Sequence, residues 1–167
     1  MTPPTKKPKR VVMVSGGFDP IHIGHVRLFQ EARKLGNKLI VVLNNDHWFK
    51  VKGKPVFMPD RERKEILEAL ECVDEVIITG HRAKTKDISV CNELRKIKPH
   101  VFANGGDRFA DNIPEFQVCQ DLGIKMVFNV GHGGKIRSSS ELLKEYLTKH
   151  HRHFAILPKQ QKRKIKK

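Results

Sequence analysis

The chain of 167 residues is poor in aromatic side chains, with one tryptophan and one tyrosine, and holds only three cysteines. Cys72, Cys91 and Cys119 are far apart and odd in number. That excludes a disulfide framework or a C-x-x-C metal knuckle and suits reduced thiols partly in a core. Long hydrophobic runs are lacking as well. The longest aliphatic stretch, Leu39-Ile40-Val41-Val42-Leu43, is five residues, against the roughly 20 that a bilayer span needs. The basic N-terminus leads into a strand-like run rather than an apolar stretch with a small-residue cleavage site, so no targeting signal is expected. From these absences we expect a cytoplasmic protein with no transmembrane segment. Acidic side chains are in deficit too: 18 Asp and Glu against 33 Lys and Arg, a formal charge of +15. An excess of that size points to a polyanionic partner, nucleic acid first.

The charge is unevenly placed. Residues 1–10 hold four bases and residues 149–167 hold eight, with no acid in either segment. The middle of the chain keeps 21 bases against all 18 acids. Like-charge blocks with little to bury read as solvated extensions. The expected organisation is a basic N-terminal tail over 1–10, a nearly neutral domain over 11–148 and a basic C-terminal tail over 149–167. The tails are the segments placed to contact a polyanion.

Between the tails, strands and helices alternate. Short β-branched or apolar runs at 11–14, 38–43, 76–78, 100–103 and 125–128 are each followed by helical spacing. The helices are expected near 26–35, from an N-cap at Asp60 with Ile66, Leu67 and Leu70 buried, and at 88–97, 114–122 and 140–146. Continuous apolarity in 39–43 suits a strand buried on both faces. The pattern predicts an α/β, Rossmann-like three-layer fold with a five-stranded parallel sheet. Such sheets bind ligands at the carboxyl ends of their strands. Three chemistry-bearing stretches fall there: 16–25, 104–108 and 131–140.

The first is Gly16-Gly17-Phe18-Asp19-Pro20-Ile21-His22-Ile23-Gly24-His25. Two glycines at a strand exit let backbone N–H groups approach an anion. A helix starting near Ile21 would set His22 and His25 on one face at its N-terminus, where free N–H groups already favour phosphate. Two imidazoles there would donate to a phosphoryl group whose charge rises during transfer. H-x-x-H without a third ligand nearby is a poor zinc site, and no metal ligands are assigned.

This string resembles the G-x-F-D-x-x-H-x-G-H signature of the cytidylyltransferase-like nucleotidyltransferase superfamily. Within it, the chain is most similar to the branches that adenylylate D-glycero-β-D-manno-heptose 1-phosphate and cytidylylate glycerol 3-phosphate. Segments 32–41 and 63–74 share the likeness, which covers about residues 10–148. The resemblance implies transfer of a nucleoside monophosphate from ATP or CTP to a phosphorylated small-molecule acceptor, with release of pyrophosphate. It implies catalytic roles for His22, His25, Lys52 and Arg63. Lys52 would reach the triphosphate, a task Lys50 or Lys54 could share, and Arg63 would grip phosphate with its fork of donors. Gly16, Gly17, Phe18, Asp19 and Gly24 of the first loop, with Gly105 and Asp107 of the G-G-D loop, would lie at the nucleotide. Ser138, Ser139 and Ser140 match the S-[ST]-[ST] signature and would hold the β- and γ-phosphates. Arg137, where the family commonly has Ile or Cys, is open between a phosphate contact and solvation.

Magnesium would enter with the NTP, and a homodimer is the family expectation. The G-G-D-R loop and Glu141-Leu142-Leu143-Lys144 lean toward adenylyl transfer to a sugar phosphate such as heptose 1-phosphate. The alternative is cytidylyl transfer to glycerol 3-phosphate or a similar alcohol phosphate. A second alternative is a non-catalytic polyanion-binding protein on the same scaffold.

Overall fold

The computed structural model describes residues 8–106, 113–131 and 137–156. The chain divides between residues 136 and 137 into two compact units. In the first, the described elements are β1 (Val11–Gly16), α1 (Ile23–Lys34), β2 (Lys38–Leu43), α2 (Asp46–Val51), α3 (Asp60–Glu68), β3 (Glu75–Ile78), α4 (Cys91–Ile97), β4 (Val101–Ala103), α5 (Glu115–Asp121) and β5 (Lys125–Val127). The five strands form one sheet in the order β3-β2-β1-β4-β5, and every pairing is parallel.

The period-2 alternation of side chains builds two cores, one on each face. Val12 and Val14 of β1, with Leu39, Val41 and Leu43 of β2, face Leu28, Phe29 and Ala32 of α1 and Leu67 of α3. Met13, Val42 and Phe102 face the other way, toward Leu94 of α4 and Val118 and Cys119 of α5. The expected three-layer fold with a five-stranded parallel sheet is present. Its strand order reverses between β1 and β4, and the crevice at that switch point is where such a sheet takes ligands.

Local differences from the sequence reading have physical causes. Residues 46–51, given no helix from the sequence, form α2, whose start is capped by Asn45 Oδ1 accepting from the Trp48 amide at 3.1 Å. Helix α3 begins with Asp60 after Pro59, not after an Asp60 cap. It turns Arg63 and Leu67 inward and leaves Ile66 38% exposed, because the buried arginine takes a place on the stripe assigned to Ile66. Helix α4 starts at Cys91 rather than 88, and β5 ends at Val127.

The second unit's described part is α6 (Ser139–Ile156). It runs past Tyr146, where the helix was expected to stop, through residues read as basic tail. Two pairs one turn apart carry it onward: Lys149 Nζ lies 2.6 Å from Glu145 Oε1, and the His150 ring lies 4.7 Å from that of Tyr146. Among the described residues, no helix is long and apolar enough to cross a membrane. Cys91 and Cys119 are buried, Cys72 is partly so, and all three are free thiols; burial pushes the Cys119 thiol up to about 11.

Candidate active site

The loop that leaves β1 and the start of α1 bring His22 and His25 together. His22 is the extended N-cap residue and His25 is three positions into the helix, so one turn stacks their rings with centroids 3.6 Å apart and planes inclined by 22°. The His22 backbone N–H donates to His25 Nδ1 at 3.3 Å. With Nδ1 accepting, the neutral His25 ring carries its proton on Nε2. Gly24 lies close beside this stack: a Cβ there would stand 3.1 Å from the His22 ring, tighter than an ordinary contact.

Burial, and His22 alongside, hold the His25 pKa down from 6.5 to about 3. The ring is therefore a neutral hydrogen-bond donor at physiological pH. Below pH 6.5 the unfolded chain accepts a proton that the folded chain resists. Stability is thus complete above pH 6.5 and is lost as pH falls toward 3, at up to about 1.4 kcal/mol per pH unit from this ring. Urea melts from pH 7 to pH 4 should show a shallower loss in His25→Gln. The ring's NMR shifts should not titrate between pH 5 and pH 8.

The other predicted loop residues support this pair more than they face solvent. Phe18 is 5% exposed and adopts φ +51, a left-handed conformation that costs a bulky residue energy. Its ring meets those of His25 and Phe29 edge-on, each at 5.0 Å. A Cβ on Gly16 would collide with the Phe18 ring, and one on Gly17 with Phe49. Both glycines therefore make room for aromatic rings, whatever they offer a phosphate. Asp19, also buried, accepts the Phe57 and Met58 amides at 2.7 and 2.8 Å.

Arg63 departs furthest from expectation. It is 1% exposed, and its fork reaches the chain itself rather than open space. Nε donates to the Met58 carbonyl at 2.8 Å. One terminal nitrogen donates to the Gly17 and Asn44 carbonyls at 2.6 and 2.9 Å, and the other to Asp46 Oδ1 at 2.6 Å. The guanidinium carbon sits 4.9 Å from the Phe49 ring centre. Arg63 is a clasp joining the loops after β1, β2 and α2, and the phosphate-gripping reading gives way to that of a positioning residue.

Lys52 follows α2, exposed, with Nζ 4.7 Å from the Trp48 ring centre in a cation–π contact. Gly105 follows β4 and packs against Leu28 of α1, where a Cβ would stand 3.1 Å away. Asp107 lies outside the described residues. Arg137, Ser138, Ser139 and Ser140 belong to the second unit: the Ser138 carbonyl accepts the Leu142 amide at 3.0 Å as α6 begins, so the serines open that helix as read.

Asn44, Asn45 and Asp46, at the carboxyl end of β2, were not singled out from the sequence, although N-N-D at a strand's end is a visible signal. Asn44 is 3% exposed and its Oδ1 has no hydrogen-bond partner among the described residues. A buried acceptor in that state costs about 1–3 kcal/mol and is the kind of expense that functional sites carry. Among the described residues, no cluster of three or more His, Cys, Asp or Glu side chains could hold a metal ion.

A parallel sheet that carries a stacked histidine pair at the first helix start, on the switch-point edge, is the arrangement expected of a nucleotidyltransferase-type fold. A family model described as cytidylyltransferase-like matches residues 13–132, and the chain belongs to that family. It is 40% identical over 100 residues to the FAD synthase of Ferroglobus placidus, covering 60% of this chain and 61% of that protein. With the FAD synthase of Pyrococcus horikoshii the identity is 38% over 116 residues, covering 69% and 70%. With the bifunctional protein HldE of Pelobacter propionicus it is 35% over 117 residues, covering 69% of this chain and 23% of that protein. The chain thus spans about six-tenths of the first of these relatives and under a quarter of the last. The lipopolysaccharide core biosynthesis protein of Thermoplasma volcanium, a solved structure, superposes with a TM-score of 0.60 at 25% identity, covering 74% of this chain and 98% of that one.

Proposed function

We propose that the chain transfers an adenylyl group from ATP to a phosphorylated small molecule, with riboflavin 5′-phosphate as the first acceptor, and releases pyrophosphate. The stacked His22–His25 pair, with its neutral His25 ring, carries this reading, because it would set a donor where charge grows on the α-phosphate. The two FAD synthase relatives support the acceptor, since FAD is the adenylylated form of that flavin phosphate. An acceptor phosphate oxygen attacks the α-phosphorus while the bond to the β-phosphate oxygen breaks, so no protein nucleophile is required. His25 Nε2–H and His22 donate to the phosphoryl oxygens, and Lys52, with Lys50 or Lys54, neutralises the triphosphate. Ser138, Ser139, Ser140 and Arg137 hold the β- and γ-phosphates in this reading, with Gly105 and Asp107 near the nucleoside.

Asp19 gives both oxygens to amides and Asp46 pairs with Arg63, so these two carboxylates are already committed among the described residues. That fits magnesium arriving on the triphosphate and supplying charge neutralisation there. A homodimer and a polyanion contact through the basic ends belong to the same reading.

A sugar phosphate such as heptose 1-phosphate is the second acceptor, favoured by the HldE relative. Pyrophosphate release with ATP and CTP across riboflavin 5′-phosphate, heptose 1-phosphate and glycerol 3-phosphate tests both. We expect turnover with ATP and the flavin. Turnover only with CTP and glycerol 3-phosphate would overturn the proposal, and none with any pair would favour the polyanion-binding alternative.

A further inference from the structure

We propose that Phe57 is the stacking platform for the flat ring system of the acceptor, an inference that rests on the flavin reading above. Phe57 is 59% exposed, which does nothing for the core, yet its backbone is tightly held. Its N–H donates to Asp19 Oδ2 at 2.7 Å, the next amide donates to Asp19 Oδ1 at 2.8 Å, and the Met58 carbonyl accepts from Arg63 Nε at 2.8 Å. Both anchors are themselves buried, Asp19 at 7% and Arg63 at 1% exposure. The phenyl ring is therefore presented by a rigid support, not left out by a loose loop. The support is the loop that carries the histidines, with Asp19 three residues ahead of His22.

Two further exposed apolar side chains belong to segments that follow β1 and β2. Ile23, between His22 and Gly24, is 49% exposed, and Val51, at the end of α2, is 37% exposed. Both follow strand ends on the edge where ligand binds. The other exposed large apolar residues described in this unit, Ile66 and Leu122, belong to α3 and to the end of α5. Phenyl and branched alkyl groups offer no hydrogen bonds to a polyhydroxylated sugar. A planar heteroaromatic ring gains from stacking on a phenyl face and from being shielded by aliphatic groups. Phe57 thus offers its face to a flat acceptor, while the phosphate groups are handled elsewhere in the site.

The test is equilibrium binding of riboflavin 5′-phosphate to the full chain with magnesium and a non-hydrolysable ATP analogue, followed by flavin fluorescence. Phe57→Ala should weaken flavin binding about tenfold, as loss of a base–aromatic stack does, and leave affinity for the analogue unchanged. Phe57→Trp should keep flavin affinity and dim the bound flavin below the wild-type level, because an indole in contact quenches the excited flavin by electron transfer. Wild-type affinity in Phe57→Ala, or undimmed flavin bound to Phe57→Trp, would overturn the stack alone. A wild-type chain that binds no flavin but adenylylates heptose 1-phosphate would overturn the flavin reading and the stack with it.

Discussion

Replacing His22 or His25 with alanine should lower turnover by about two to three orders of magnitude while the chain still folds, the usual loss when one preorganised donor is removed. The proposed displacement needs no covalent intermediate, so its rate rests on placing the acceptor and stabilising the charge that gathers on the α-phosphate. Neutral imidazole suits the second task. With its pKa near 3, His25 neither loses its donor nor gains a second proton across the working pH range. The arrangement is also mutual, because His25 Nδ1 accepts the His22 amide. His25→Ala therefore removes one donor and loosens the other, and the double variant should lose far less than the product of the two single losses. Pyrophosphate release under single-turnover conditions, with circular dichroism as the folding control, measures this. Near-wild-type rates in either single variant would remove the pair from the mechanism.

The parts of the fold that could be read in the sequence were those written in one-dimensional periodicity. Residues 39–43 are apolar at every position because β2 is buried on both faces, and the structure gives those five residues 5% exposure or less. The histidine pair was equally legible, since a spacing of three on a helix fixes a neighbourhood without tertiary information. Helix α2 was not: Asp-His-Trp-Phe-Lys-Val is under two turns, too short for a 3.6-residue period to show. Its start depends on one side-chain cap. Beyond residue 146, charge and histidine content masked a helix that pairs one turn apart extend. The support roles of Phe18 and Asp19 were hidden for a different reason. Their partners, His25 and Phe29 for one and the Phe57 and Met58 amides for the other, are defined by folding rather than by spacing.

Arg63 is where sequence and structure diverge most, and it gives the second large effect. Arg63→Ala should destabilise the chain by about 3–5 kcal/mol, the range for breaking a buried charge's bonds, since the guanidinium is buried even though Asp46 is 31% exposed. Three carbonyls, those of Gly17, Asn44 and Met58, would lose their donor, and Asp46 its counter-charge. Folded domains are stable by only about 5–15 kcal/mol, so the loss should appear as a large drop in the urea midpoint. Arg63→Lys should recover only part of it, because an ammonium cannot reach four acceptors that surround a planar fork. These three carbonyls and Asp46 come from the loops after β1, β2 and α2, which carry Gly17, the Asn44–Asp46 turn and the segment that presents Phe57. Sub-denaturing conditions should therefore raise the KM for acceptor and nucleotide together in Arg63→Lys. A phosphate-gripping arginine gives the opposite pattern, in which alanine leaves the urea midpoint unchanged and impairs only nucleotide binding or turnover. Measuring the midpoint alongside KM and kcat for both variants separates the two roles. An unchanged midpoint in Arg63→Ala would return the residue to the phosphate.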